Sequence, residues 1–301
     1  MTKKIAVFGA SGFVGQHLVA EARARGFYIT TIGRQSDDDI VIDLTSFDEI
    51  CRLPLKEYHA IVDVAAVNET LISRDIKTAY DVNVTRARAI VELSKRNDIG
   101  RISYCSTFHV YGKQYGAVAP TDDCRPKNDY GLTHLLAELI YRSWGNINGT
   151  IVNIVRPTNI YGIPASMTRF NRWTLVPYDF VRAALVEKKI EIRSNGLQFR
   201  NFVSIENVVN CLLTFEDRTV NAIGVHTISI RDFASLVKET LKEKFGEIQV
   251  TWQDDGQVSS PALHFPPSNF QVTERESTLL VSFIKDFACL YANTLEDDKN
   301  G

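Results

Sequence analysis

A tyrosine and a histidine stand four positions apart in the segment NDYGLTHLLAE, which covers residues 128–138. Side chains four residues apart on a helix lie on the same face, so Tyr130 and His134 are spaced to act as an acid/base pair. A phenol gives or takes a proton in such a role, and an imidazole changes its charge near neutral pH. The alternative is that the two residues merely share a helix face.

Three glycines follow a short apolar run near the N-terminus, in the segment GASGFVG. Gly9, Gly12 and Gly15 stand three apart and lead directly into a predicted helix. Glycine suits this place because the chain must turn tightly, bring bare backbone amides to a phosphate and let the helix pack closely on the strand. The segment therefore predicts a dinucleotide site; a glycine-rich turn without a ligand is the alternative.

The end of the second predicted strand bears on the choice of dinucleotide. An enzyme that prefers NAD usually has a carboxylate there, on the ribose 2′-hydroxyl, but this chain has Gly33 and Arg34 in TTIGRQS. An arginine pairs with the 2′-phosphate of NADP, so NADP(H) is favoured and NAD(H) is possible; a solvated surface arginine is the alternative. Asp43 follows the third strand, where its side chain either reaches the adenine amine or caps a helix.

A scaffold that alternates strands with helices has to position these residues. Short β-branched runs predict strands in KIAVFG, YITTIGR, IVIDL, AIVDVAA, RISYCST and TIVNIVRP. Helices are predicted between several of them, such as residues 13–25 and 76–97. This alternation predicts an α/β fold with a doubly wound parallel sheet of the Rossmann type.

The rhythm of the chain changes after the last of these strands. We expect a dinucleotide-binding domain over residues 1–162, to which segments around 200–215 return. A smaller substrate-binding lobe is expected over 163–290, beginning with the aromatic and basic segment MTRFNRWTLVPYDF, and closing over the carboxyl ends of the strands. Residues 291–301 are expected to form a frayed tail.

The helix that carries Tyr130 has two faces that can be separated at about 100° per residue. Its broad apolar stripe is made by Leu132, Leu135, Leu136, Leu139, Ile140 and Ser143. Tyr130, His134, Ala137 and Tyr141 fall on nearly the opposite side. Because the charges do not lie opposite the leucines, as on an ordinary surface helix, both faces are expected to be covered.

Composition narrows the class of protein. Hydrophobic residues at 45 % and charged residues at 23 % are ordinary for a globular protein, and a formal charge of -2 gives no reason to expect nucleic acid or an anionic membrane as a partner. The five cysteines form no CxxC and do not cluster with the histidines, so neither disulfides nor a metal site is expected. A reducing cytoplasm fits best, and no segment is apolar enough to suggest a signal peptide or a membrane span.

Five features in order connect these observations: the glycine turn, STFHVYG, Tyr130, RPTNIYG and RNFVSIENVV. Together they make the chain resemble the extended short-chain dehydrogenase/reductases, the nucleotide-sugar epimerases, dehydratases and reductases, over nearly its whole length to about residue 285. The resemblance implies a nucleotide-sugar substrate, for example in polysaccharide biosynthesis. It also implies a homodimer, for which we assign the leucine face to the partner subunit and the Tyr130 face to the cofactor crevice.

The resemblance implies roles for particular residues. Thr107, with Ser106 as its neighbour, matches the family's catalytic hydroxyl, and Tyr130 matches the phenol that moves a proton as hydride passes between carbon and nicotinamide. The residues expected to be catalytic are Thr107, Tyr130, His134 and His109. Those expected to bind the cofactor are Gly9, Ser11, Gly12, Phe13, Gly15, Arg34, Asp43, Leu44, Ala65, Tyr130, His134 and Pro157. Those expected to bind the substrate are Thr107, Phe108, His109, Asn159 and Arg200.

Two positions depart from the family. His134 stands where the family has a lysine that holds the nicotinamide ribose and lowers the pKa of the tyrosine from about 10 towards neutrality; a histidine does both weakly unless it is held protonated. Phe108 and His109 stand where family dehydratases have acids, which disfavours an ordinary dehydratase. His109 is either a further general acid or base or a core histidine bonded to backbone.

The resemblance also implies contacts outside this helix. Asn159 matches an asparagine that contacts the substrate near its diphosphate, and Arg200 matches an arginine that binds the diphosphate, for which an arginine fork is suited. Asn201 stands where the family usually has an acid after this arginine. Asn83 matches an asparagine that supports the active site, with a helix-surface residue as the alternative. Three side chains of the predicted lid either touch substrate or lie in a solvated loop: Arg169, Arg172 and Trp173.

Two functions remain open from the sequence. The first is an NAD(P)-dependent oxidoreductase or epimerase acting on a nucleotide sugar. The second is a regulatory or accessory protein that has kept the dinucleotide pocket but lost efficient hydride transfer, with His134 as the mark of the loss.

Overall fold

The structure, a computed structural model, describes residues 2–67, 69–254, 256, 261–265 and 275–300. The chain divides into two compact units. The first comprises Met1–Lys113, Pro120–Pro157 and Ile205–Ala222, and the second comprises Gln114–Ala119, Thr158–Ser204 and Ile223–Gly301. The expected domain limits at residues 162 and 290 remain a sequence-based prediction.

Strands occupy the following positions within the described ranges: β1 (Lys4–Phe8), β2 (Tyr28–Gly33), β3 (Ile40–Val41), β4 (Ala60–Asp63), β5 (Arg101–Cys105), β6 (Gly116–Ala117), β7 (Ile151–Pro157), β8 (Asn159–Tyr161), β9 (Lys189–Ile192), β10 (Phe199–Ser204), β11 (Arg218–Ala222), β12 (His226–Ser229), β13 (Gln249–Trp252) and β14 (Leu263–His264). Helices occupy these positions: α1 (Phe13–Ala24), α2 (Phe47–Cys51), α3 (Glu69–Ile72), α4 (Ile76–Tyr80), α5 (Arg86–Arg96), α6 (Asp129–Asn148), α7 (Val176–Val186), α8 (Ile205–Leu212), α9 (Ile230–Phe245) and α10 (Arg275–Asn300). A π-helical turn, Asp81–Thr85, joins α4 to α5, and a 3-10 turn spans Phe108–Tyr111.

The first unit is built on a seven-stranded sheet in the order β11-β7-β5-β4-β1-β2-β3. All of its strand pairs are parallel, and helices lie between most of the successive strands, whereas β2 and β3 are joined by a turn. The predicted α/β fold of the Rossmann type is therefore confirmed. Each run of β-branched residues that predicted a strand contains one of these strands.

Burial explains why the apolar runs become central strands. In β1, four consecutive residues from Ile5 to Phe8 are fully buried, as a strand covered on both faces requires. Removing a side chain such as Val or Phe from water contributes roughly 1.5–3 kcal/mol. A polar residue placed in this run would lose that contribution and leave a buried group to be hydrogen-bonded.

The strand order reverses beside β1. The chain runs outward from β1 to β2 and β3, and then returns to build β4, β5 and β7 on the other side. Ligands of open parallel sheets bind at such a reversal, outside the carboxyl ends of the strands. The glycine loop follows β1, Ala65 follows β4, Thr107 follows β5 and Pro157 ends β7, so the topology brings these predicted site residues to one edge of the sheet.

The two faces of α6 differ in exposure, while their assignment to a cofactor crevice and a partner subunit stays a prediction. His134, Ala137 and Tyr141 are buried within the unit, and Tyr130 is partly buried. On the apolar stripe, Leu132 and Leu139 are 36% and 56% exposed in the single chain. The leucine face is therefore the outward face of α6.

The second unit contains smaller sheets. The strands β12, β10 and β8 form one of them, with β10 antiparallel to β12 and parallel to β8. Aromatic side chains from α7 and α10 pack together, among them Tyr178, Phe283 and Phe287. The helix α10 continues to Asn300, so residues 291–300, for which the sequence predicts a frayed tail, are helical; their apolar positions Tyr291 and Leu295 continue the spacing of the helix.

No helix in the described ranges has both the length and the sustained apolar character that crossing a bilayer demands.

Candidate active site

The glycine loop after β1 has the geometry of an anion cradle. Gly9 adopts φ +83°, and the amide of Gly12 donates to the carbonyl of Gly9 at 3.1 Å. Gly12 is the N-cap of α1 and provides no side-chain cap, so the N-terminal amides of α1 open onto the loop. Backbone amides and the helix dipole favour a phosphate at such a place.

Packing and a side-chain hydrogen bond fix the conformation of this loop. A β carbon on Gly15 would come within 2.1 Å of the Gly9 carbonyl oxygen, so this helix start requires glycine. Ser11 and Phe13 are partly buried beside the cradle. Gln16 bonds from its side-chain amide to the carbonyl of Ser11 at 2.7 Å and fixes the loop from the helix side.

The end of β2 carries both a cation and carboxylates. Arg34 is exposed, directly after the buried Gly33. Asp38 accepts a hydrogen bond from the Gln35 amide at 2.9 Å, and a β carbon on Gly33 would come within 2.3 Å of its carboxylate oxygen. Sequence reasoning missed this carboxylate because it enters from a turn four residues beyond Arg34 rather than from the strand itself.

Asp43 does not cap the next helix, and its contact with the adenine stays a prediction. Its carboxylate accepts from the Thr45 amide and hydroxyl, both at 2.9 Å, and these bonds hold the pKa of Asp43 below its usual value. The N-cap of α2 is instead Ser46, which accepts from the Glu49 amide. Three other predicted cofactor residues are buried along the strand ends: Leu44, Ala65 and Pro157.

Tyr130 lies between two imidazoles. The ring of His134 stands edge-on to it at 4.8 Å between centroids, and the ring of His109 does so at 5.5 Å from another element. Tyr130 packs on a small apolar cluster that includes Val67 and Ile72. The structure therefore brings three of the four predicted catalytic residues into one group, and His109 is partly exposed rather than a core residue.

The fourth predicted residue stands at the start of the same 3-10 turn as His109. Thr107 is 5% exposed and its hydroxyl oxygen accepts from the His109 amide at 3.3 Å. This acceptor bond leaves the hydroxyl hydrogen for donation to a bound oxygen. Gly131 allows the turn and α6 to approach closely, because a β carbon there would meet the His109 carbonyl oxygen at 2.6 Å.

Ser106 serves a different purpose from its neighbour. Its hydroxyl donates to the carboxylate of Glu138, which is also paired with the guanidinium of Arg156 at 2.5 Å. All three residues are buried. Burial opposes the charge of Arg156, but its bonds to Glu138 prevail and hold the pKa of Arg156 above its usual value. This pair, which sequence reasoning missed, fixes α6 to β7 beneath Thr107.

Asn83 is buried and bonded to two other segments, so the alternative that it is a helix-surface residue is wrong. It is 1% exposed and lies in the π-helical turn. Its side chain accepts from the Val67 amide at 2.9 Å and donates to the Thr133 hydroxyl at 3.0 Å. It thus ties the loop after β4 to the helix that carries Tyr130 and His134, and π-helical turns are frequent at functional sites.

His134 has a partner that the sequence does not reveal. Its Nδ1 atom lies 2.7 Å from the hydroxyl of Tyr104 on β5. The two residues are 2% and 0% exposed. Tyr104 packs in turn on Tyr141, whose hydroxyl donates to Asp63 at 2.8 Å.

A cavity of about 550 Å³ opens beside Tyr130 within the first unit. Ser73 and Arg74 line it from the segment between α3 and α4, and Asn128 and Asp129 line it from the start of α6. Asp129 is held by the hydroxyl of Tyr80 at 3.0 Å. Ile72 and Ile76 also line the cavity, so it combines an apolar lining with hydroxyl, amide and charged groups next to the phenol, as small-molecule sites commonly do.

The predicted diphosphate contacts lie together in the second unit. Asn159 is paired with Phe202 across β8 and β10, and its amide donates to the Asn201 carbonyl at 2.9 Å. Arg200 is partly buried on β10, and burial lowers its pKa. The side chain of Asn201 is buried and bonded to the backbone of Gly224, so this residue has a structural role where the family usually has an acid.

The three side chains of the predicted lid separate in the structure. Trp173 contacts the rings of Phe170, Phe287 and Tyr291 with centroids 5.0, 6.2 and 5.2 Å away, so it belongs to the aromatic cluster of the second unit and is partly buried there. Arg169 is exposed and Arg172 partly exposed.

The described residues contain no group of three or more histidine, cysteine or acidic side chains arranged to hold a metal ion. The five cysteines are all free.

Comparison with known proteins identifies relatives of the chain. Residues 5–229 match the NAD dependent epimerase/dehydratase family. The chain is 27% identical over 269 residues to a dTDP-4-dehydro-6-deoxy-D-allose reductase of Streptomyces sp, a match that covers 79% of this chain and 81% of that protein.

Two solved structures share its fold. One is UDP-N-acetylglucosamine 4-epimerase from Methanobrevibacter ruminantium M1 in complex with UDP-N-acetylmuramic acid, with a TM-score of 0.80, 15% identity, and 97% and 99% of the two chains covered. The other is UDP-glucuronic acid 4-epimerase from Bacillus cereus in complex with UDP-glucuronic acid and NAD, with a TM-score of 0.74, 20% identity, and 96% and 99% covered. At these identities the likeness is one of fold.

Proposed function

The chain belongs to the NAD dependent epimerase/dehydratase family, and from this membership we propose that it is an NAD(P)-dependent oxidoreductase or epimerase that acts on a nucleotide sugar, with Tyr130 as general acid and base. The observation that carries the proposal is the position of the Tyr130 ring between His109 and His134, on the sheet edge that also bears the glycine loop. A family relative is a reductase of a dTDP-linked sugar, and structural neighbours are epimerases of UDP-linked sugars.

The residues of the first unit fit a nicotinamide dinucleotide. The loop from Gly9 to Gly15 provides bare amides at a helix N-terminus, where a pyrophosphate is stabilised. Arg34 is exposed directly after β2 and would pair with a 2′-phosphate, which favours NADP(H). The nearby carboxylate of Asp38 is the feature that favours NAD(H). When bound, the dinucleotide supplies the acceptor and donor of hydride.

The chain's own residues would handle the proton that accompanies this chemistry. The hydroxyl of Thr107 polarises the reacting oxygen, and Tyr130 takes the proton from that oxygen or returns it. His134, bonded to Tyr104, would hold the nicotinamide ribose by hydrogen bonding. His109, whose ring contacts that of Tyr130, would serve as a second acid or base, and no acid follows Thr107 to carry an ordinary dehydration.

The substrate is assigned by chemistry rather than by a bound molecule. Asn159 and Arg200 are proposed to bind its diphosphate, because an arginine fork matches two phosphate oxygens. The partial burial of Arg200 strengthens such a contact, since charge interactions are stronger away from water. The cavity beside Tyr130 is proposed to receive the sugar.

The outward leucine face of α6 is proposed to bind a second copy of the chain, giving a cytoplasmic homodimer. Leu132 and Leu139 are exposed in the single chain on this face, and burying apolar side chains is favourable. Light scattering that finds a monomer would contradict this part of the proposal and leave the chemistry standing.

The test of the proposed function begins with the purified protein. Denaturation releases any bound nucleotide for identification, and the folded enzyme is then incubated with NADP(H) or NAD(H) and a panel of UDP- and dTDP-sugars. We expect mass spectrometry and sugar NMR to find an altered sugar, with absorbance of reduced nicotinamide changing if the reaction is net redox. Tight dinucleotide binding with no altered sugar across the panel would favour an accessory protein instead.

A further inference from the structure

The hydrogen bond between Tyr104 and His134 determines which nitrogen of the imidazole carries a proton. The Tyr104 hydroxyl oxygen lies 2.7 Å from Nδ1, and both side chains are buried between β5 and α6. Either group can be the donor by distance alone. The surroundings of the pair decide between the two arrangements.

The hydroxyl of Tyr104 must place its proton somewhere. In the part of the chain that the structure describes, Nδ1 of His134 is its one hydrogen-bonding partner. Burial, and then the charge of Asp63, raise the pKa of Tyr104 well above its ordinary value, so the hydroxyl stays protonated. If Nδ1–H were the donor, the hydroxyl hydrogen would be buried without an acceptor, which is unfavourable.

Two buried carboxylates near this pair, among the described residues, are each held by an arginine. Asp63 is paired with Arg86 at 3.1 Å and accepts from Tyr141. Glu138, one turn beyond His134, is paired with Arg156. Among the described residues, the titratable groups that face His134 and its partner include Tyr104 and Cys105 on β5, Tyr130, Glu138 and Tyr141 on α6, His109 on the 3-10 turn, Asp63 on β4, Arg86 on α5 and Arg156 on β7.

We propose that Tyr104 is a positioning residue that donates its hydroxyl hydrogen to Nδ1 of His134 and thereby holds His134 as a neutral ring with its proton on Nε2. Nδ1 is then an acceptor and Nε2 a donor. This inference rests on the proposed function for its catalytic meaning: the ring beside Tyr130 supplies a directed hydrogen bond and no fixed positive charge. His134 would therefore provide the hydrogen bond that a lysine gives to the ribose, but not the positive charge that lowers the pKa of the tyrosine.

The tautomer is tested without any substrate. Protein with 15N-labelled histidine is examined by long-range 1H–15N correlation, in which charged, Nδ1–H and Nε2–H rings give different patterns. The signal of His134 among the six histidines is assigned by its loss in His134→Gln. We expect the Nε2–H pattern from about pH 6 to pH 8, the range in which an ordinary imidazole changes charge.

Variants then assign the cause. Tyr104→Phe removes the donor and is expected to abolish the pure Nε2–H pattern, whereas Tyr58→Phe, which removes another partly buried hydroxyl bonded to Thr30, leaves it unchanged. A charged or Nδ1–H ring in the wild-type protein overturns the proposal, and this result does not depend on whether Tyr104→Phe folds. A pattern that Tyr104→Phe leaves unchanged overturns the role of Tyr104.

Activity provides the second readout. His134→Lys adds the missing charge beside Tyr130, so the pH at which kcat/KM is half-maximal is expected to shift to lower pH, and Tyr58→Phe is not expected to shift it. An unshifted profile contradicts the neutral ring. If no nucleotide sugar is turned over, the proposed function fails while the NMR result still decides the tautomer.

Discussion

The backbone of Ala65 lies so close to Gly9 that a β carbon added to the glycine would stand 2.6 Å from it. Gly9 follows β1 and Ala65 follows β4, the two strands that flank the reversal of the sheet order. The close approach therefore belongs to the place where the dinucleotide is proposed to bind. At Gly9 glycine is required by packing against Ala65, whereas at Gly12, where a β carbon would have room, it serves ligand access.

Gly9→Ala is expected to destabilise the protein, because the new methyl group overlaps backbone and the residue has φ +83°. Overpacking alone costs roughly 1–3 kcal/mol, and urea denaturation measures the change. Gly12→Ala is the matched control, since its β carbon would meet the nearest atom at 3.4 Å. It should keep its stability but bind dinucleotide at least about tenfold more weakly by calorimetry, a loss of about 1.4 kcal/mol. Unchanged affinity in Gly12→Ala would remove the loop from the cofactor site.

The buried pair of Glu138 and Arg156 is expected to be a strong determinant of stability. Glu138→Gln keeps the shape of the side chain but leaves the guanidinium without its counter-charge, which costs roughly 3–5 kcal/mol in the interior. Glu92→Gln is the control, because Glu92 pairs with Arg88 at the surface and such pairs contribute about 1 kcal/mol or less. Equal free energies of unfolding for the two variants would show that the buried pair does not anchor α6.

Arg34 is expected to select the dinucleotide. Arg34→Ser removes a charge-assisted bond to the 2′-phosphate, worth roughly 1.5–3 kcal/mol, so NADP(H) affinity should fall about 10-fold or more while NAD(H) affinity is retained. Arg52→Ser, an exposed arginine beside Asp48 on α2, is the control for a general loss of positive charge. If Arg34→Ser weakens neither dinucleotide, the carboxylate of Asp38 becomes the better candidate for the ribose contact, and NAD(H) the better cofactor.

His59 is expected to make stability depend on pH. Burial, and then the charges of Lys3 and Arg101, lower the pKa of His59 below 6.5 in the folded protein. The unfolded chain therefore binds a proton at His59 more readily than the folded protein does. The contribution of neutral His59 to the free energy of unfolding is present above about pH 6.5 and is lost as pH falls through the folded pKa. His59→Gln should flatten this part of the curve of unfolding free energy against pH, whereas His264→Gln, an exposed residue on β14, should not. An equally steep curve in His59→Gln would assign the dependence to other groups.

The sequence predicts well what depends on local pattern. The β-branched runs predicted the strands β1, β2, β4, β5 and β7, because a central strand must be apolar along its whole length, and the run IVIDL also predicted β3, which lies at the edge of the sheet. The glycine spacing predicted the loop before α1. The faces of α6 predicted that Tyr130 and His134 lie on one side of the helix, and within the unit this is the more buried side. Each of these features depends on residues that are close together in the sequence.

The partners across the fold could not be predicted in the same way. Asn83 meets Thr133 from 50 positions away, and Tyr104 meets His134 from 30. Periodicity indicates which face is buried, but not which side chain lies opposite. The helical end of α10 was missed because the charges of LEDDKNG resemble a solvated tail, while the apolar spacing that continues the helix is too short to stand out.

The most direct test of the account compares the wild-type enzyme with Tyr130→Phe on the nucleotide sugar that the panel identifies. Removing one hydroxyl should lower kcat by about 10²–10⁴-fold, the contribution of a positioned acid/base group, with dinucleotide affinity unchanged. Tyr28→Phe, at an exposed residue of β2, should retain full activity. A Tyr130→Phe enzyme that keeps wild-type kcat would contradict the central claim that this phenol carries the proton.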